Sequence, residues 1–330
     1  MTDNDDDARA YWSKLRHLGV HQGEVDRRPE LDELGIDEVH RICNRIWAYS
    51  RADFEPSFAV ERKVSQWRET CALAGSIAES VMLGAAAYIE AEWHRRAIAA
   101  GTEPAGMAIA QRYLADNAVD TAVMVGHRLI NFVVRAARTT PETRNQLGAI
   151  KDLAYLGPQY IPFITDHRNA WLSLNAEVIK LLRKTLPPLH ANSLDILKEL
   201  IDSPEWVAAV DIRAENFHRW RKEHESVAGV DQNSGNATDL YDANGNFTGR
   251  SVHTRRRSHT ISDGLTERTT LVAGCSVKRV AAAAEAILDD TLNIVLPRIE
   301  GGFTLAIDHA GGSRQTVRLT GGGPAQTPSI

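Results

Sequence analysis

The sequence predicts a mainly α-helical protein: a multi-helix bundle with a small β-hairpin insertion before its last long helix and a second β-hairpin at the C-terminal end. Three observations carry this expectation. Apolar residues recur at helical spacing over residues 8–225 and again over 265–299. Two helix starts are fully marked, Thr140-Pro141-Glu142 and Ser203-Pro204-Glu205. Each sets a hydroxyl residue at the N-cap, a proline at the first helical position and a carboxylate near the positive end of the helix dipole. Segments that alternate and are bounded by Gly and Asn occur only after residue 225.

Taken in order, residues 1–7 (MTDNDDD) are the opposite of the basic start of a secretory signal and read as a disordered acidic lead-in. Helices are expected over 37–50, 58–100 with a break near its glycines, 105–116, 119–138, 141–156, 166–186, 193–200 and from Pro204 to about residue 225. Residues 71–89 are apolar, but Glu79 interrupts them and Arg68, Glu69, Glu90 and Glu92 flank them, which suits a buried core helix rather than a membrane span. Leu156-Gly157-Pro158 and Leu186-Pro187-Pro188 end their helices, because proline cannot donate the next hydrogen bond.

Residues 229–250 read as a loop, with Asn244-Gly245-Asn246 as a turn between Tyr241 and Phe247, leading into a hairpin over 247–259. A long helix over 265–299 follows, with Val277, Val280, Ala281, Ala284, Ile287, Leu288 and Leu292 on one stripe. After Gly301-Gly302, residues 303–308 and 315–319 read as the second hairpin, and the Gly- and Pro-rich residues 321–330 as a disordered tail. Glycine and two prolines near 156–165 suggest a boundary between a helical scaffold region, 8–160, and a second helical region, 161–320. One continuous bundle fits the composition equally well.

The formal net charge of -5 argues against coating nucleic acid or anionic membrane by bulk electrostatics, so any anion-binding function must be regional. The three cysteines, Cys43, Cys71 and Cys275, are odd in number and widely spaced, which supplies no disulfide framework and fits a cytoplasmic protein. The chain carries no nucleophile elbow, phosphate-binding glycine loop or dinucleotide fingerprint.

The helix starting at Pro204 is the most informative element. At about 100° per residue, Trp206, Val210, Phe217 and Trp220 fall on one side, and Arg213 falls among them. A guanidinium keeps its charge in any protein environment, so Arg213 needs a carboxylate, a carbonyl or a bound anion. His218 follows, and Arg219, Arg221, Lys222 and His224 continue the cationic run. A fixed guanidinium can hold a phosphate while an imidazole takes the proton of a ribose 2′-hydroxyl, a combination suited to RNA cleavage without a metal. The bland alternative is a helical scaffold or interaction protein in which Arg213 braces the bundle through Asp195 or Glu199.

Arg213-Ala214-Glu215-Asn216-Phe217-His218 has the Arg-x4-His spacing, late in a helical domain, and so resembles the HEPN superfamily. That resemblance implies an RNase of toxin or antiviral defence systems, acting without metal or cofactor as a homodimer and in some cases restrained by an inhibitory partner protein. It implies catalytic roles for Arg213, holding the phosphate, and His218, moving the proton. Many members carry a polar residue after the arginine, where this chain has Ala214. The frame from Arg219 to His224 repeats the spacing.

A second basic run, Arg250-Ser251-Val252-His253-Thr254-Arg255-Arg256-Arg257-Ser258-His259, would present His253, Arg255, Arg257 and His259 on one hairpin face. Arg219, Arg221, His224, Arg255 and Arg257 are therefore the expected RNA-binding residues, with the alternative that this run is a charged edge protected from aggregation. Glu215-x-x-His218 and Asp37-x-x-His40 have the spacing of a di-iron pair but lack the remaining carboxylates, and His17 and His21 lack a third ligand. No metal site is assigned. His127, Arg128, Asn131, Arg135 and Arg138 interrupt an apolar helix and either line a groove or are buried, hydrogen-bonded residues between helices.

Overall fold

The computed structural model describes residues 33–36, 38–39, 41–43, 62–103, 107–161, 171–218, 237–252, 263–291, 304–308 and 316–320. Within these the protein is mainly α-helical, with two small antiparallel hairpins. The helices are α1 (Arg62–Ala99), α2 (Ala108–Ala137), α3 (Pro141–Gly148), α4 (Ala176–Thr185), α5 (Ala191–Asp202), α6 (Pro204–His218) and α7 (Asp263–Asp289). Two 3-10 turns, Lys151–Leu156 and Pro188–His190, lie between α3 and α5.

The centre of the fold is the long contact of α1 with α2, closed over by α7, while α6 packs on both α2 and α7. Small residues make this approach possible. Ala74, Ala78, Ala85 and Ala91 of α1, Ala115, Ala118 and Ala122 of α2, and Ala273, Ala281 and Ala284 of α7 are buried together with Ile77, Val81, Val119, Leu129, Phe132 and Ile287. Gly274 of α7 lies against Tyr88 of α1, where a Cβ would meet the ring at 2.6 Å. A helical stretch within residues 33–43 adds Ile36, Val39, Ile42 and Cys43 to the same core, and Arg41 bonds both Glu38 and Glu285 of α7. Residues of α5, α6 and α7 share one hydrophobic cluster with α1 and α2.

Several expected elements differ in detail. α1 runs unbroken through Gly75 and Gly84, because Gly84 is a packing notch against Thr121 and Val277 rather than a break. α2 continues through Asn117, where the buried Ala118 and Val119 keep one register. The helix expected over 141–156 ends at Gly148, in close contact with Gly157 and Pro158, and gives way to a 3-10 turn. Pro141 and Pro204 open α3 and α6 as expected. Ser203 Oγ accepts from the Trp206 N–H, whereas the Thr140 hydroxyl donates to Thr143 instead of capping. The helix expected over 166–186 begins at Ala176, capped by the Asn175 side chain, with residues 171–174 outside it.

The first hairpin is β1 (Ala237–Tyr241) with β2 (Phe247–Val252), so Asn244-Gly245 is its turn rather than its lead-in. Asp242 Oδ1 accepts from the N–H groups of Asn244 and Asn246, and Gly245 takes φ +79. Such an aspartate-closed turn joins strands directly, which explains the shift from the expected 247–259. The second hairpin, β3 (Thr304–Asp308) with β4 (Thr316–Thr320), lies as expected. The lead-in 1–7, the tail 321–330 and the helical extensions at 44–50, 219–225 and 292–299 fall outside the described residues. Among the described residues one helical stretch, Glu69–Ala99, is long and apolar enough to cross a membrane, and 72% of its apolar window is buried within the fold.

Candidate functional site

The polar residues that interrupt α2 have distinct jobs. Arg128 faces α1, where its Nη1 donates to the Ser76 carbonyl and hydroxyl at 2.8 Å and to the Ser80 hydroxyl. His127, Asn131 and Arg135, spaced four residues apart, form a ladder along the other side. Asn131 is fully buried and grips one residue at both ends: its Nδ2 donates to the Leu172 carbonyl at 2.7 Å and its Oδ1 accepts the Leu172 N–H at 3.0 Å. His127 Nδ1 accepts the Leu174 N–H at 2.9 Å. The ladder thus satisfies the backbone of the non-helical segment before α4, which could not otherwise be buried.

Arg213 enters from α6. Its Nη1 lies 3.4 Å from His127 Nε2, and both residues are partly exposed. Since His127 Nδ1 accepts a hydrogen bond from the Leu174 N–H, the neutral ring must carry its own proton on Nε2. The contact therefore brings two N–H donors together, an arrangement that an anionic acceptor can share. Burial, and secondarily the Arg213 charge, hold the His127 pKa below its ordinary value, which keeps the ring neutral. Trp206 packs edge-on against His127, with ring centroids 6.2 Å apart, and forms a wall of the site.

Of the expected catalytic pair, Arg213 is thus near an imidazole, but the imidazole comes from α2. His218 ends α6, five residues on, so the two positions are about 140° apart around one helix axis and about 7.5 Å apart along it. Arg219, Arg221, His224, Arg255 and Arg257 lie outside the described residues. Arg250, which opens the second basic run, pairs across the hairpin with Asp239 at 2.6 Å. The brace expected of Asp195 is directed elsewhere, to Arg183, and Glu199 is exposed. Among the described residues no group of three or more His, Cys, Asp or Glu side chains is arranged to hold a metal. His127 is not legible as a site residue in the sequence because its partner is 86 residues away and the local signal is no more than a histidine within an apolar helix.

No protein-family model matches the chain, and no curated protein or solved structure matches it.

Proposed function

We propose that the chain is a metal-independent RNA endonuclease of HEPN type, in which Arg213 holds the scissile phosphate. The supporting observation is the meeting of the Arg213 guanidinium with the donor nitrogen of His127 at 3.4 Å, since two convergent donors suit a phosphodiester oxygen. His127 acts here as a hydrogen-bond donor and not as an acid, because losing its Nε2 proton while Nδ1 accepts from Leu174 would leave an imidazolate. Proton transfer belongs to His218. Its imidazole takes the 2′-hydroxyl proton, the 2′ oxygen bonds to phosphorus and the bond from phosphorus to the 5′ oxygen breaks. The 5′ oxygen takes a proton from water, the hydroxide left behind takes the proton held by the imidazolium, and the products are a 2′,3′-cyclic phosphate and a 5′-hydroxyl. The separation of Arg213 and His218 around α6 favours a homodimer in which each copy completes the other's cleft, and a cytoplasmic setting belongs to the same reading. An inhibitory partner protein and a role in toxin or antiviral defence belong to the same reading.

A scaffold reading is favoured by a different observation, the use of His127 and Asn131 to hold the backbone of residues 172 and 174. One experiment separates the two. RNA incubated with purified protein in chelator should be cut by the wild type and spared by Arg213→Ala and His218→Ala, with all three proteins equally folded. RNA left intact by the wild type across single-stranded and structured substrates removes the nuclease reading and leaves the scaffold.

A further inference from the structure

Among the described residues, the far end of the α2 ladder gathers more arginine than carboxylate. Arg135 is 2% exposed and Arg138 is fully buried. Their guanidinium carbons lie 5.7 and 4.1 Å from the centroid of one ring, that of Tyr160, so the two cations share a small volume. The carboxylate within this volume is Glu69, which accepts the Tyr160 hydroxyl and stands 3.8 Å from Arg135 Nε. Arg144 donates to Gln66 Oε1 at 2.9 Å and to the Arg138 carbonyl at 3.3 Å, which fixes Gln66 with its Nε2 as a donor.

Part of the hydrogen-bonding capacity is used. Arg138 donates to the carbonyls of Leu156, Gly157 and Tyr160 beyond the 3-10 turn, and Arg135 donates to Asn131 Oδ1 at 3.1 Å. Among the described residues three buried donor atoms have no acceptor: Arg135 Nη2, Arg138 Nη1 and Gln66 Nε2. Each such group costs about 1–3 kcal/mol when left unmet, and more when charged. Burial pushes the Arg138 guanidinium down to about 10, with Arg135 and Arg144 acting in the same direction and Glu69 opposing, so it remains charged at neutral pH.

We infer that the α1–α2 seam beside Tyr160 is an internal anion site, in which a small inorganic anion such as chloride or phosphate serves as counter-ion to Arg135 and Arg138 and accepts from the three unmet donors. Carbonyl oxygens already occupy the neutral acceptor positions around Arg138, and they relieve donors without cancelling charge. An anion does both. Trp171, 39% exposed, has its ring centroid 5.1 Å from the Arg135 guanidinium carbon, so the seam reaches a partly exposed residue on this side. The site shares no residue with the Arg213 and His127 pair and stands whether or not the chain acts on RNA.

The test is thermal unfolding of the full chain, refolded into gluconate, whose size excludes it from a dry seam, then titrated with chloride or with phosphate at constant ionic strength. The midpoint should rise with the logarithm of anion concentration, by roughly 2–4 °C for each tenfold increase beyond the dissociation constant. The two titrations identify which anion binds more tightly. Gln66→Glu supplies an internal carboxylate while keeping an acceptor for Arg144, and should raise the midpoint in gluconate and abolish the anion response. Gln66→Leu keeps both arginines and should shift the titration to about tenfold higher anion concentration, the expected loss of one hydrogen bond to a charged group. A wild-type midpoint that is the same in gluconate, chloride and phosphate overturns the site, as does a Gln66→Glu protein that responds to anions like the wild type.

Discussion

The Trp206 indole occupies the space that a side chain on Gly126 would need: a Cβ built there lies 2.2 Å from Trp206 Cη2 and 2.3 Å from Cζ3. Glycine at this position lets α6 sit directly on α2, and Arg213 follows Trp206 by seven residues, about two helical turns, on the same side. The position of the guanidinium is therefore set by a residue that does not touch it.

Gly126→Ala should force α6 outward and destabilise the protein by about 1–3 kcal/mol, the usual range for overpacking. Urea denaturation followed by tryptophan fluorescence measures this. Trp206→Leu removes the clashing ring atoms, so the double variant should be more stable than the sum of the two single changes predicts. Additive effects would show that the helices are not held apart by this contact. RNA affinity should fall in Gly126→Ala although every charge is retained.

Asn131→Ala should be among the most damaging single changes in α2. It strands the Leu172 N–H and carbonyl and removes an acceptor from Arg135, a loss of about 2–4 kcal/mol. Hydrogen exchange locates the effect: the Leu172 amide should lose protection together with Leu174, while the α1 amides retain theirs. Uniform loss of protection would mean that the ladder has no local role.

The His127 donor is present in the neutral ring, so its contribution to phosphate binding should not depend on protonation. The ratio of RNA affinities between wild type and His127→Gln, read by fluorescence anisotropy at fixed salt, should stay constant from pH 8 to pH 6. A ratio that climbs as pH falls would show that the ring gains its proton and gives up the Leu174 bond.

Much of this was present in the sequence wherever the cause is local. Pro141 and Pro204 mark helix starts because their backbone limits act on the next turn, and the β3 and β4 hairpin follows from alternation between glycines. Errors arose where the cause is tertiary. A glycine that breaks a helix and a glycine that admits a neighbour look alike in sequence, so Gly84 suggested an interruption where it is a notch for Thr121 and Val277. The same holds for the site. Arg213 is conspicuous as a charge on an apolar stripe, but local spacing offers His218 as its imidazole, whereas the fold supplies His127 from 86 residues away.

His190 provides a pH test of the fold that is independent of RNA. It is 3% exposed, in the turn before α5, next to Asp290, whose Oδ2 accepts the Ser193 hydroxyl. Burial pulls its pKa down to about 4, with Asp290 opposing, against an ordinary value of 6.5. The folded value is the lower one, so as pH falls the unfolded chain takes up a proton first and the folded state loses stability. That stability is fully present above pH 6.5 and is lost progressively from there to pH 4. The shift corresponds to about 3 kcal/mol. His190→Leu replaces the ring with an apolar group and sacrifices no bond at Nδ1, which has no partner. The stability advantage of wild type over this variant should therefore shrink by about 3 kcal/mol between pH 7 and pH 4 in urea denaturation. A constant difference across that range would mean that the native state accepts the proton as readily as the unfolded chain, and that His190 is not held neutral by its burial.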